Sequence, residues 1–323
     1  MSNHTAAEYQ ICNMTTIEAS WVPTALEFLF GICSNAAAML LIWLNRREHK
    51  WSSFYKMFTA LVITDFMGVL FTFPFALKRY SSGFDYCFSI HQCEFISFAM
   101  VDAHLAAALL ICAMSVDRLI VLTIPRFLRN PIAGKRYTLV VILIWLISSV
   151  VAMLQLVGVG SAQLYYPGSW CYFDFIDIEH NAGDFFMSYF YSITGLLIVL
   201  ITLIANTCTM CKICLDPHAR GTLLDSSLVS GYYDYHVMIF IIAVTVCFVA
   251  TCTPFYIDIF LHAVRIRNEN DSHEMWFERL TFLNAIIDPW LYIVLRKESI
   301  RKLVAFFRTF RRPKPPENVS LLL

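Results

Sequence analysis

Seven runs of apolar residues, at about 21–44, 54–78, 91–122, 137–160, 184–212, 236–264 and 276–295, divide this chain. Each is long enough to cross a hydrocarbon core of about 30 Å as a helix, and a helix satisfies its own backbone where no water can. Little chain is left over for anything else. Of the 323 residues 58% are hydrophobic and 15% charged, and the mean hydropathy is +0.61, well beyond a soluble domain. The expected fold is an all-α membrane protein, with one seven-helix transmembrane domain over 21–296 and an N-terminal tail over 1–20. After the last run, "KESIRKLVAFFRTFRR" sets Ile300, Leu303, Val304, Phe306 and Phe307 on one face, with Arg301, Lys302 and Arg308 around it. That pattern predicts a short amphipathic helix lying on the membrane lipid, followed by a disordered tail, over 297–323.

Seven crossings put the chain ends on opposite sides of the membrane. The segments 45–56, 118–136, 212–220 and 296–314 hold nineteen of the 24 Lys and Arg, the alternate loops hold only Lys78, Arg79, Arg265, Arg267 and Arg279, and the first twenty residues hold none. Basic loops stay in the cytoplasm, so the N-terminus is expected outside and the C-terminus inside, as in a multi-pass plasma-membrane protein. The sequons at Asn3 and Asn13 fall outside and are expected to carry glycans; the one at Asn318 falls inside and is expected bare. No cleavable signal peptide is expected, because the first twenty residues lack a basic start and an apolar centre. A nucleic acid is not among the expected partners.

Of the eleven cysteines, Cys33, Cys112, Cys247 and Cys252 lie in apolar spans, where thiols pack as small hydrophobes. Cys93 and Cys171 lie outside, where oxidation is permitted, and are expected to be bridged. A second bridge between the other two outer cysteines, Cys12 and Cys87, is left open. "CTMCKIC", with Cys208, Cys211 and Cys214, offers three thiols without a fourth ligand and makes a poor zinc site; palmitoylation there is left open too, and no metal site is expected.

The polar residues inside the spans are few: Asn35 in "GICSN", Asp65 in "ALVITDFMG", Asp117 and Arg118 in "AMSVDRLIVL", and Asn284 and Asp288 in "NAIIDPWLY". Singly each could be an interhelical hydrogen bond. In order across seven spans they resemble the signature of the rhodopsin-like G-protein-coupled receptors, over about residues 20–310. The resemblance implies a switch made of Asp117, Arg118, Asp288, Pro289 and Tyr292. In it Arg118 is restrained by Asp117 until it is released to meet a heterotrimeric G protein. The resemblance also implies a polar core of Asn35, Asp65, Asn284 and Asp288, with a sodium ion or water near Asp65.

Single positions narrow the ligand. The last span has no lysine between Leu280 and Leu295 for a retinal Schiff base. Met100 stands where amine receptors carry a carboxylate, although Asp102, two residues on, keeps that reading open. "YYPGSWCYFDF" (165–175), "FPFALKRY" (73–80) and "LNAIIDPWLYIVLRK" (283–297) resemble the corresponding stretches of the prostanoid receptors, most of all the E-type. Cys252, two residues before Pro254, agrees with that subfamily in lacking the usual tryptophan. The resemblance implies that Arg279 binds a fatty-acid carboxylate, that Tyr80 and Ser169 supply hydroxyls, and that Trp170 lines the site. At nine residues before Asp288, Arg279 stands roughly 13 Å nearer the outer surface. Arginine suits a carboxylate because its planar fork gives two parallel hydrogen bonds. The alternative for Arg279 is an anchor in the outer headgroups or a pairing with Glu278.

The expected function is a prostanoid receptor, with prostaglandin E2 foremost and a rise in cyclic AMP as output, and not an enzyme. Another acidic lipid or a peptide is the alternative ligand. An intramembrane aspartyl protease using Asp65 and Asp288 is a distant rival, since the Gly-x-Gly-Asp signature is absent; a transporter lacks its internal repeats.

Overall fold

The computed structural model describes residues 10–11, 20–44, 53–123, 133–176, 181–215, 230–267 and 272–295. Seven helices run through them: α1 (Val22–Leu44), α2 (Ser53–Ser81), α3 (Ile90–Thr123), α4 (Ala133–Met153), α5 (Ala182–Leu215), α6 (Ser230–Ala263) and α7 (Ser272–Leu295). They form the expected seven-helix bundle. Six of them are long and apolar enough to cross a membrane. The seventh helix, α7, carries Glu274, Glu278, Arg279 and Asp288.

Local chemistry sets the helix ends. Ser20 Oγ accepts the Val22 N–H at 3.3 Å ahead of Pro23, a residue suited to a first helical turn. Asn181 does the same for Gly183 at the start of α5, at 2.9 Å. Hydroxyls inside the spans are satisfied one turn back along their own helices: Thr64 on Ala60, Ser115 on Ile111 and Thr202 on Ile198. Gly195 lets α5 and α6 approach closely, since a Cβ there would lie 2.4 Å from the Tyr256 ring. The apolar surface points both ways. Leu146, Val150, Leu200 and Ile204 are exposed on the bundle exterior, as befits a lipid-facing belt, whereas Asn35, Asp65, Asn284 and Asp288 are buried within it.

The structure departs from expectation at the fourth run, which was to extend to residue 160. Helix α4 ends at Met153, a single 3-10 turn covers Leu154–Val157, and Gly158 and Gly160 then adopt φ of 89° and 103°. Those left-handed glycines turn the chain, although Leu156, Val157 and Val159 around them are apolar and hydropathy alone continues the span. The chain then forms an antiparallel hairpin, pairing Ala162–Tyr165 with Trp170–Phe173 so that Tyr165 faces Trp170. A second short pair joins Gln10–Ile11 to Phe88–Ser89.

The expected Cys93–Cys171 disulfide pins the hairpin to the start of α3, with Cα atoms 5.3 Å apart across 78 residues of sequence. Cys87 is disulfide-bonded as well; Cys12 lies outside the described residues. So do Asn3, Asn13, Asn318 and the expected amphipathic helix and tail at 297–323. Below, the end of the bundle that carries the Cys93–Cys171 bond is the disulfide end.

Candidate functional site

The hairpin sinks into the disulfide end of the bundle. Tyr165, Tyr172, Phe173 and Phe175 are completely buried. The Tyr165 hydroxyl donates to Phe173 O at 2.8 Å and accepts the Phe175 N–H at 3.0 Å. Burial pushes that hydroxyl well above its ordinary range, so it stays a donor. Asp184, in the first turn of α5, accepts from the Ser161 N–H and hydroxyl and ties the hairpin to that helix.

Arg79, which sequence reasoning left as a loop cation, holds the hairpin tip. It is 0% exposed, donates from Nε to Gly168 O at 2.8 Å and from Nη1 to Tyr86 O, and lies over the Phe84 and Phe88 rings. Its Gly168 partner is a backbone carbonyl 89 residues along the chain, which no local pattern announces.

Under the hairpin lies a cavity lined by Thr24 and Glu27 of α1, Thr72 and Phe73 of α2, Ile96 and Met100 of α3, Ser169 and Trp170 of the hairpin, and Glu278, Arg279 and Phe282 of α7. Three of the four expected ligand residues, Arg279, Ser169 and Trp170, meet there. Tyr80 joins them through Ser169, whose hydroxyl donates to the Tyr80 hydroxyl at 3.4 Å. Arg279 is 8% exposed and donates one long hydrogen bond, to Thr24 Oγ1 at 3.3 Å, with the Trp276 ring 5.5 Å from its guanidinium. Among the described residues it forms no ion pair, with Glu278 or any other carboxylate. Asp102, which kept the amine reading open, turns to α4 instead, accepting from Ser148 at 2.7 Å and Ser149 at 3.0 Å.

Phe282 is also a wall of a second cavity, deeper in the bundle and lined by Asp65, Gly68, His104, Tyr191, Phe255 and Asn284 among others. The polar core sits at its edge. Asn284 Nδ2 donates to Asp288 Oδ2 at 3.0 Å, and Asn35 Nδ2 donates to Gly31 O at 2.9 Å and Ala285 O at 3.0 Å. Four buried oxygens, one each on Asn35, Asp65, Asn284 and Asp288, are left without a hydrogen bond. Sequence reasoning passed over His104, whose Nε2 is 3.3 Å from Thr281 Oγ1 and whose ring packs against Phe282. A histidine deep within the third apolar run was the only signal it gave.

At the far end, Arg118 Nη2 and Nε donate to Asp117 Oδ2 at 2.7 and 3.2 Å, and the Tyr137 hydroxyl donates to Asp117 Oδ1 at 2.6 Å. The adjacent Asp and Arg are thus paired in this structure. Asn206 of α5, unforeseen in the sequence, donates to Ser115 of α3 at 3.0 Å and Thr245 of α6 at 2.8 Å. Pro289 lies within α7 beside the fully buried Asp288; Tyr292 is on the same helix, its side chain outside the described part.

The family model for the seven-transmembrane receptors of the rhodopsin family matches residues 34–292. The chain belongs to that family. The receptor's curated relatives include the human prostaglandin E2 receptor EP4 subtype, 23% identical over 87% of this chain and 65% of that protein. They also include the rat thromboxane A2 receptor, 26% identical over 78% of this chain and 75% of that one. The prostanoid resemblance read from the sequence is therefore shown, and its family is one of receptors rather than enzymes. The receptor spans 65% of the length of the EP4 relative. Squid rhodopsin superposes with a TM-score of 0.74 at 14% identity, covering 90% of this chain and 84% of the other, a likeness of fold alone.

Proposed function

We propose that this receptor binds a prostanoid, foremost prostaglandin E2, and passes binding to a heterotrimeric G protein, with cyclic AMP as the output. The observation that carries the reading is Arg279: a nearly buried guanidinium in a cavity with one long hydrogen bond and, although Glu27 and Glu278 line the same cavity and lie within electrostatic range, no ion-pair contact among the described residues. A buried cation in that condition is costly unless an anion completes it. A fatty-acid carboxylate would do so bidentately, with the Ser169 and Tyr80 hydroxyls beside its head and Phe73, Ile96, Met100 and Phe282 along its chains. On this reading the disulfide end faces outside. Binding stabilises the state in which Arg118 leaves Asp117 for the G protein, and the G protein tightens binding in return. The orphan oxygens near Asp65 suit a sodium ion or water, which Asp65, Asn284 and Asp288 would hold.

Glu27 and Glu278 on the same cavity favour a second reading. Two carboxylates there suit a ligand with donors of its own, such as a peptide or a more hydroxylated acidic lipid. The test is cyclic AMP and calcium in cells expressing the receptor, exposed to prostanoids and to their methyl esters, with Arg279→Ala alongside. A response to the free acid, lost with the ester and with the variant, supports the prostanoid. Silence across the panel at normal surface expression removes it and leaves the second reading.

A further inference from the structure

Helix α6 reaches the disulfide end with Asp258 and His262 four residues apart, and the first turn of α7 brings Glu274 against them. His262 Nε2 is 3.3 Å from Glu274 Oε1 and 4.0 Å from Asp258 Oδ2, and the ligand atoms of all three lie within 4.8 Å of one another. All three side chains are buried, exposed by 2% or less. Neither ring nitrogen of His262 has a hydrogen bond, nor does Asp258 Oδ2. Arg267 takes the other Asp258 oxygen, and so fixes the direction in which Oδ2 points.

Arg267 offsets one oxygen of Asp258, but a buried imidazole with both nitrogens bare beside the unbonded Asp258 Oδ2 is costly unless a further positive charge joins them. A proton on the imidazole is one candidate. It can bond only along the direction of each N–H, and both nitrogens and Asp258 Oδ2 are without such a bond. A metal ion would meet all three at once. Tetrahedral zinc, with bonds of about 2.0–2.2 Å, sets its ligand atoms roughly 3.3 Å apart, which is the His262–Glu274 spacing. Asp258 closes its longer gap by a small side-chain rotation. One imidazole with two carboxylates fits zinc and its neighbours better than the all-oxygen shells of calcium and magnesium or the thiolates of softer ions.

We propose that Asp258, His262 and Glu274 form a site for a zinc-type divalent cation that clamps the disulfide ends of α6 and α7 together. A water completes the shell, and Phe175, with its ring 5.6 Å from that of His262, covers the site from the hairpin side. The clamp is independent of the ligand class, because none of the three residues lines the Arg279 cavity.

The experiment is thermal unfolding of the purified full-length receptor in detergent with zinc chloride, magnesium chloride or EDTA, together with a count of bound zinc per receptor. Zinc should raise Tm and bind one ion per receptor in the wild type, and magnesium should do neither. In His262→Gln and in Glu274→Gln the zinc effect should vanish at the same concentration, since loss of a direct ligand costs at least the 10–100-fold that an outer partner costs. His262→Cys restores a ligand and should respond to zinc and to cadmium, which keeps the test valid where the glutamine variant folds poorly. Equal zinc shifts in wild type and both glutamine variants would mean an adventitious ion only and would overturn the proposal. So would a wild type indifferent to zinc but stabilised by lowering the pH, the sign of a proton in the metal's place.

Discussion

Arg79 and Arg279 stand on the neighbouring helices α2 and α7 near the same end of the bundle, and both are nearly buried, yet their surroundings are opposite. Arg79 is saturated by the protein: two main-chain carbonyls accept from it and two rings flank it. Arg279 opens on a cavity and has one long hydrogen bond. The same side chain is a rivet where the fold supplies its acceptors and an invitation where the fold withholds them. The contrast teaches that burial of a charge does not by itself say what the charge is for, and that the number of acceptors around it does.

The largest expected effect breaks the Arg279 side. Arg279→Ala should weaken a carboxylate ligand by about 2–5 kcal/mol, or roughly 30-fold to several thousand-fold in affinity, with surface expression near normal in flow cytometry. Arg79→Met should do the reverse. It strands the buried Gly168 carbonyl at about 1–3 kcal/mol and frees the half-buried Tyr86 carbonyl as well, so surface receptor should fall while the molecules that arrive keep wild-type affinity in radioligand binding. If Arg79→Met changes affinity and leaves expression intact, the contrast between the two arginines is wrong. Ser169→Ala removes one neutral hydrogen bond, about 0.5–1.5 kcal/mol, and should raise the half-maximal concentration by about two- to tenfold. Smallest is Tyr137→Phe, which takes one donor from Asp117 and so loosens its hold on Arg118. Basal G-protein activation should rise by no more than a few-fold, and ligand affinity should be nearly unchanged.

Seven spans were legible because hydropathy over twenty residues is a strong signal, and Arg118, Asp288 and Arg279 were legible because a charge in such a span stands out. Chain reversals were less so. The glycines at 158 and 160 sit in an apolar run, and their left-handed conformation leaves no mark on hydropathy. The sequence also does not disclose partnerships across long separations. Arg79 meets a carbonyl 89 residues on, Asn206 meets Ser115 91 residues back, and His104 meets Thr281 177 residues on. Asp258 and His262 share a helix face in plain view, but Glu274, which gives the pair its meaning, comes from the next helix after a turn.

Phe282 is a wall shared by both cavities, with Arg279 above it and Asn284 below. Its ring meets Phe73 edge-on at 4.7 Å on one side and His104 at 5.0 Å on the other, so it is held at its rim like a diaphragm. Whatever presses on that membrane of one aromatic ring from the upper chamber displaces volume in the lower one, beside Asp65. A message between the two needs no relay of residues along a helix, only the thickness of a phenyl group.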